Sequence, residues 1–466
     1  MRPNPEFQRN LWLEITPHRL IATPLIFGGF YYLILFWGEQ GEQTLLLTSL
    51  WMFILFAGLW GAYQSENALV AEIQNKTWPL QRLTSISPWT MTWGKLFGST
   101  LFSWYAGLWS LGVFVLTYLL APENFLFPRP DRKWIMLSHG VGPAILFTVG
   151  VAVWFQAWGF LVGMWQLQNK FSKSKRRSGT SLLLSLFLLP TVITASFEPV
   201  KWSKNVHWYQ WEFNEFWFWL ATLYIFLAWV ITGIYMQMRR ELQVSNPPWV
   251  WQIFLIFVLA FAMGFPQEKD IISLNGLNLW VARLLLGWGL MVVFTYLILL
   301  WERSDGVDIR RLFHLWKAQR IREALCELPR WWVTSALAWI TAAVLMTLHG
   351  VYGGTFLADD GEVLNLYGFV AALMCFLMRD IALLLYFYFS DKPQRALGTA
   401  IVYWAVLYWL IPMLLGVVWM DALNPLFLPD GSVNLAYAVL PPLVQAALMW
   451  RYTIRRWRTR FGTPAV

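Results

Sequence analysis

Few residues in this chain are of a type and spacing that could do covalent chemistry. The five histidines, His18, His139, His207, His314 and His349, are scattered, with no pair at metal-ligand spacing, which argues against a metallohydrolase. Cys326 and Cys375 are the only cysteines, one in a polar stretch and one inside an apolar run, so neither a disulfide nor a zinc site is indicated. No Gly-x-x-x-x-Gly-Lys-Ser/Thr loop occurs, and the chain lacks that cradle for the phosphates of ATP. Asp359, Asp360 and Glu362 cluster between two apolar runs; such acids could do acid-base work or bind a cation, but a solvated loop is the commoner meaning. The pair Arg379-Asp380 is different, because it falls inside an apolar run, where ionisable groups are costly unless they face partners, water or a pathway. Adjacent residues point in different directions on a helix, so these two need not pair with each other, and they read as either an intramembrane or a boundary charge. Arg283, near the external start of another apolar run, can snorkel to the interface and reads as structural.

The elements that must carry these residues follow from composition. With 58% hydrophobic and 13% charged residues in 466, the chain has too little polar surface for a water-soluble fold. A helix needs about 20 mostly apolar residues to cross roughly 30 Å of hydrocarbon. The apolar runs are that long, which excludes a barrel. About twelve spans are expected, over residues 20–37, 45–63, 97–120, 141–167, 181–197, 216–238, 249–265, 277–300, 331–348, 366–388, 396–419 and 433–450. The fold class is therefore all-α, a polytopic transmembrane helical bundle. With the N-terminus inside, 27 of the 35 Lys and Arg fall in cytosolic segments and 6 in external ones, which places both termini in the cytosol. The net charge of +9 punctuates the spans and reads as topology rather than as a nucleic-acid surface. Residues 1–19 lack the features of a cleaved signal peptide and are expected to be retained.

The most ordered polar segment lies between the second and third expected spans, at residues 64–96. Leu69, Ile73, Leu80 and Leu83 recur at helical spacings, Pro88 can start a helix, and Gly94-Lys95 leads into the third span. Together they describe a short cytosolic helix held between two membrane helices, able to pass a push from a soluble partner to both. Residues 168–179, with Lys170, Lys173, Lys175, Arg176 and Arg177, read as a stop-transfer and anionic-lipid contact. Within residues 301–330, Ile309, Leu312, Phe313, Leu315 and Trp316 are interspersed with Arg311, Lys317, Arg320 and Arg322, the pattern of a helix lying along the interface.

The order Glu72, Thr77, Trp78, Arg82, Ser87, Pro88, Gly94, Lys95 resembles the first cytosolic loop of ABC-2 type transporter permeases. That loop runs through an acidic turn, a Thr-Trp or Thr-Leu pair, a Ser-Pro turn and a Gly-Lys pair. Glu66 opens the same segment. Residues Asn4-Pro5-Glu6-Phe7 through Leu13-Glu14-Ile15-Thr16-Pro17-His18-Arg19 look like the amphipathic connecting helix before the first span of such permeases. The likeness covers about the first hundred residues; the remaining spans match by general layout. It implies a permease subunit of an exporter in the bacterial plasma (inner) membrane, with residues 64–96 coupling it to a separate ABC ATPase. ATP and Mg would sit on that partner, and this chain would itself be no enzyme and hold no cofactor. Membrane lipids are the other expected contacts, a homodimer or a second permease remains open, and no nucleic acid is expected. Two other classes also remain open: a polytopic membrane enzyme of lipid or glycan assembly, and an ion-coupled secondary transporter.

The chain is expected to divide into residues 1–240, with six spans and the 64–96 segment, and residues 241–466, a second six-span half with traces of a degenerate repeat. Glu14-Ile15-Thr16-Pro17 and Glu327-Leu328-Pro329 stand 313 residues apart, and Glu66-x-Ala68-Leu69 and Asp380-x-Ala382-Leu383 stand 314 apart. The second copy lacks the Thr-Trp and Gly-Lys parts, so an ATPase contact there would be changed or weakened.

Overall fold

The computed structural model describes residues 4–37, 41–84, 86–120, 140–168, 205–267, 277–302, 304, 306–353, 356–357 and 363–461. Strand is confined among them to two short two-stranded sheets, β1 (Asn205–Trp208) with β2 (Trp211–Asn214) and β3 (Phe356–Leu357) with β4 (Val363–Leu364). Nine of the described helices are long and apolar enough to cross a membrane, so the chain is an all-α polytopic membrane protein. The expected span at 181–197, the basic run 169–179, His139, and the acids Asp359, Asp360 and Glu362 lie outside the described residues. The expected seventh span is a helix of only 15 residues, Trp249–Met263, about 22 Å long at ~1.5 Å per residue. The expected twelfth, Leu435–Phe461, contains Pro441 and Pro442 and runs on past its apolar part into Arg451, Arg455, Arg456, Arg458 and Arg460.

The chain separates into two compact units, one of Met1–Val206 with Glu212–Asn246, the other of His207–Trp211 with Pro247–Val466. The first unit opens with α1 (Pro5–Glu14) and α2 (Pro17–Trp37). One long helix follows, built from α3 (Gly41–Phe53), a π-helical turn (Ile54–Trp60) and α4 (Gly61–Gln74). Residues 64–74, expected as part of a loop, are thus the continuation of the second membrane helix, with no Gly or Pro between them to end it. Next come α5 (Trp78–Arg82), α6 (Pro88–Gly98), α7 (Leu101–Leu120), α8 (Val141–Gln168) and α9 (Glu215–Glu241). Ser87 caps α6, its hydroxyl accepting from the Thr90 amide at 3.2 Å, and Pro88 fills the first helical position. Lys95 does not run straight into the third span. The helix breaks at Ser99-Thr100, whose hydroxyls donate back to the carbonyls of Lys95 (2.7 Å) and Leu96 (3.0 Å) and compete with the backbone ladder.

Small residues let α4 and α8 approach closely. A Cβ on Gly159 would fall 2.2 Å from the Ala62 carbonyl oxygen, and one on Gly163 would fall 3.1 Å from that of Glu66. Polar groups within this seam are satisfied across it: Ser65 Oγ donates to the Gln156 carbonyl at 2.7 Å, and Gln156 Nε2 donates at 2.7 Å to Ala57 O in the π-helical turn. Leu50, Phe53, Phe114 and Phe155 fill the core around it. Gly159→Ala is expected to cost about 1–3 kcal/mol, because the neighbour it meets is backbone and cannot step aside. Gly112→Ala, where an added Cβ meets nothing within 4 Å, is expected to leave stability unchanged or slightly raised. Thermal unfolding of the two purified variants in detergent reads the contrast.

The second unit contains α10 (Trp249–Met263), α11 (Leu279–Trp301), α12 (Gly306–Lys317), α13 (Ile321–Cys326), α14 (Arg330–Tyr352) and α15 (Leu366–Tyr388). It ends with a helix interrupted by a π-helical turn, namely α16 (Ala396–Ala405), Val406–Leu410 and α17 (Ile411–Val417), and then α18 (Leu435–Phe461). α15 is the central helix, buried along most of its length and packed against α18, where Thr453 Oγ1 donates to Ala382 O at 2.9 Å. α11 and α14 pack together, joined at their ends by α12 and α13, whose Leu312, Leu315 and Ala324 share a small core with Leu328 and Trp332. Arg283 does not snorkel. It is 3% exposed, donates from Nε to Pro266 O at 3.3 Å and lies over the rings of Tyr209 and Trp280, so its charge is held inside the protein.

Candidate functional site

α1 is amphipathic in an inverted sense. Glu6 and Asn10 are buried against the protein, while Trp12 and Leu13 are 80% and 66% exposed. A polar face turned inward needs partners, and α6 supplies them. Gly94 and Gly98, one turn apart, leave space for α1: a Cβ on Gly94 would lie 2.5 Å from Glu6 Cβ, and one on Gly98 would lie 2.9 Å from Asn10 Cβ. Asn4 Nδ2 donates to Thr90 O at 2.8 Å while its Oδ1 caps α1 through the Glu6 amide at 3.0 Å, and Asn10 Nδ2 donates to Gly94 O at 3.2 Å.

Glu72, at the end of α4, is the centre of the cluster this docking closes. The Lys95 ammonium donates to both its carboxylate oxygens at 2.6 Å and to Gln81 Oε1 at 2.7 Å. Gln81 Nε2 returns a hydrogen bond to Glu72 Oε1 at 2.8 Å, and Arg9 donates to the same oxygen at 2.6 Å. Glu6 completes the set, 3.2 Å from Arg9 and 3.6 Å from Lys95. Two acids thus face two bases, with Lys95 only 1% exposed and lying 5.5 Å from the centre of the Trp78 ring. Burial pushes the Lys95 ammonium below its ordinary range, and Glu72 followed by Glu6 pulls it back. The cluster holds no nucleophile beside a base. Its chemistry is mechanical, joining α1, α4, α5 and α6 into one body.

The residues expected to face a partner divide into two groups. Glu72, Trp78, Gly94 and Lys95 are buried in or beside the cluster. Glu66 is also fully buried but lies in the α4–α8 seam. Thr77 closes the end of α4, its amide donating to Glu72 O at 2.9 Å, and Ser87 and Pro88 start α6. The outward surface of α5 and its flank is instead Pro79, Leu80 (68% exposed), Leu83 (84% exposed) and the partly exposed Arg82.

Arg379 and Asp380 form a second polar centre, inside the second unit. They lie within α15, 3% and 0% exposed and well before its end at Tyr388, so they are buried charges and not boundary ones. They also pair with each other: the Arg379 side chain folds back so that Nε and Nη2 donate to Asp380 Oδ1 at 3.1 and 3.0 Å. Tyr296 from α11 donates to Asp380 Oδ2 at 2.8 Å, and Tyr408 from the π-helical turn donates to the same oxygen. Arg379 Nη1 donates to Gln445 Oε1 of α18 at 2.7 Å. Elements from four parts of the unit converge here, and each carboxylate oxygen accepts two hydrogen bonds, which is how such a pair is tolerated in apolar surroundings.

Sequence reasoning missed Glu6, Arg9, Asn10 and Gln81 in the first centre and Tyr296, Tyr408 and Gln445 in the second. The spacing Gly94-x-x-x-Gly98, a pattern of close helix approach, was the available signal for the first. Among the described residues there is no group of three or more His, Cys, Asp and Glu side chains able to hold a metal. No family model, curated protein or solved structure matches the chain.

Proposed function

We propose that this chain is the membrane-spanning subunit of an ATP-driven ABC exporter, with twelve spans and both termini in the cytosol of a bacterium, driven by a separate ATPase through α5. The observation that carries this reading is the cluster of the buried Glu6, Glu72 and Lys95 with Arg9 at its edge. A short helix on flexible tethers could not transmit force, but α5 is tied through Gln81 and Trp78 to the end of the second membrane helix and to the helix leading to the third. Its free surface, Leu80, Arg82 and Leu83, is apolar and basic at the tip, as a plug into a groove would be. The resemblance of the segment to ABC-2 permease loops supports the same assignment.

A test is co-expression with a candidate ABC ATPase partner. Arg82→Glu combined with Leu83→Asp is expected to reduce co-purification at least about tenfold with an unchanged melting temperature, since neither side chain is part of the core. Undiminished association and undiminished transport would sink the assignment. A second reading, an ion-coupled carrier, is favoured by one observation, the buried Asp380 with its two tyrosine donors. Transport driven by an ion gradient in vesicles without any ATPase would select it.

A further inference from the structure

We propose that α12, α13 and the adjoining end of α18 form a docking surface for anionic phospholipid headgroups. The inference does not depend on the chain being driven by an ATPase. α11 ends at Trp301 and α14 begins at Arg330, and these two spans pack together, so the elbow of α12 and α13 that joins them sits where the spans leave the hydrocarbon. Its buried face is already used: Ile309, Leu312 and Leu315 turn into the protein. Beside that face, Phe313 and Trp316 are 47% and 57% exposed, aromatic rings suited to the boundary between acyl chains and headgroups.

The charge next to them is mostly basic, Asp308 being the acid of α12. Glu327 and Glu323 are taken up by Arg311 at 3.2 Å and by Arg320. Arg310, Lys317 and Arg322 are exposed and have no acidic partner among the described residues. α18 continues this rim: Phe313 meets Trp457 at 5.9 Å between ring centres, and Gly306 is pressed so close to the Phe461 ring that a Cβ would lie 2.4 Å from it. On α18, Arg456 stacks over Tyr386 and Arg460 pairs with Asp391, whereas Arg451, Arg455 and Arg458, spaced to share one stripe, are exposed and without an acidic partner among the described residues. Cations without acidic partners on α12 and α13, beside exposed aromatic rings at a membrane edge and with a further basic stripe on the adjoining α18, match a phosphate-bearing amphiphile. α1 makes the contrast within the same chain, since its Glu6 is turned inward and its Arg9 is paired with Glu6 and Glu72.

Native mass spectrometry of the full chain purified in detergent, titrated with phosphatidylglycerol or phosphatidylcholine of matched acyl chains, measures the preference. The wild type is expected to retain phosphatidylglycerol about tenfold more tightly, and raising salt from about 0.1 to 0.5 M is expected to remove most of that advantage. Arg310→Gln, Lys317→Gln and Arg322→Gln together are expected to bring the two lipids within about twofold while the lipid-free melting temperature stays put. Should the triple variant fail to purify, Lys317→Gln alone must show a partial loss. Equal affinity for the two lipids in the wild type, an undiminished preference in the variants, or displacement of phosphatidylglycerol by millimolar inorganic phosphate would each overturn the proposal. So would loss of a soluble protein partner in the variants with lipid preference intact.

Discussion

Lys95→Met is expected to lower the stability of the folded chain by about 3–5 kcal/mol, the cost of stranding a buried charge. Lys95 supplies the donors that compensate the Glu72 carboxylate from inside, and its removal leaves that group with the half-exposed Arg9 and with Gln81 alone. Replacing both members, Glu72→Met with Lys95→Met, is expected to recover most of the loss. The remaining Glu6 and Arg9 still face each other at 3.2 Å, and an apolar pair of similar volume is often no worse than a buried ion pair. Melting of the three proteins in the same detergent gives the comparison. A single variant as stable as the wild type would mean that the cluster is not closed in the membrane-embedded protein. Should the double variant fold yet fail to transport, the joint between α4, α5 and α6 would be identified as part of the working cycle and not only of the scaffold.

The second large effect is expected at Asp380. Asp380→Ala removes the acceptor of Arg379, Tyr296 and Tyr408 at once, leaving a guanidinium 3% exposed and two hydroxyls without their acceptor. A loss of about 3–5 kcal/mol follows from the stranded cation alone. Asp380→Asn keeps an oxygen for the tyrosines but still strands the charge, so it is expected to recover only a fraction. Arg379→Met joined to Asp380→Leu, by contrast, removes both charges and is expected to fold. The yield of monodisperse protein and its melting temperature are the measurements. An Asp380→Ala protein of wild-type stability would show that Arg379 finds another partner or water, and would reopen the centre as a solvated pathway.

Reading the chain as membrane helices succeeded where the physics is one-dimensional. Runs such as residues 279–301 and 366–388 are long, apolar and unbroken, and nothing but a spanning helix can satisfy their backbone in hydrocarbon. The polar centres were only half legible for the opposite reason. Glu72 and Lys95 stand out as charges, but a sequence does not say which way a charge faces, and a segment that resembles one that meets a partner gives no sign that they turn inward. Their inward orientation depends on α1, some 63 residues from Glu72 along the chain, returning to cover them. Tyr296 and Tyr408 were invisible because a tyrosine within an apolar run looks the same whether it anchors at an interface or donates to a buried carboxylate. The pairing of Arg379 with its own neighbour is not legible in the sequence, because the direction of a Cα–Cβ bond does not fix the tip of a long, flexible side chain.

The closing of the first centre by α1 also sets an order on biogenesis. α1 is made before its partners on α6, which lie more than eighty positions later, the separation from Asn4 to Thr90 being 86 residues. Until that stretch has been made and the first spans inserted, Glu6, Arg9 and Asn10 have no protein to face, while Trp12 and Leu13 already favour the bilayer surface. The polar face of α1 therefore gains its partners on α6 only when synthesis has passed Gly98. Closure of the cluster is in this way tied to completion of α6.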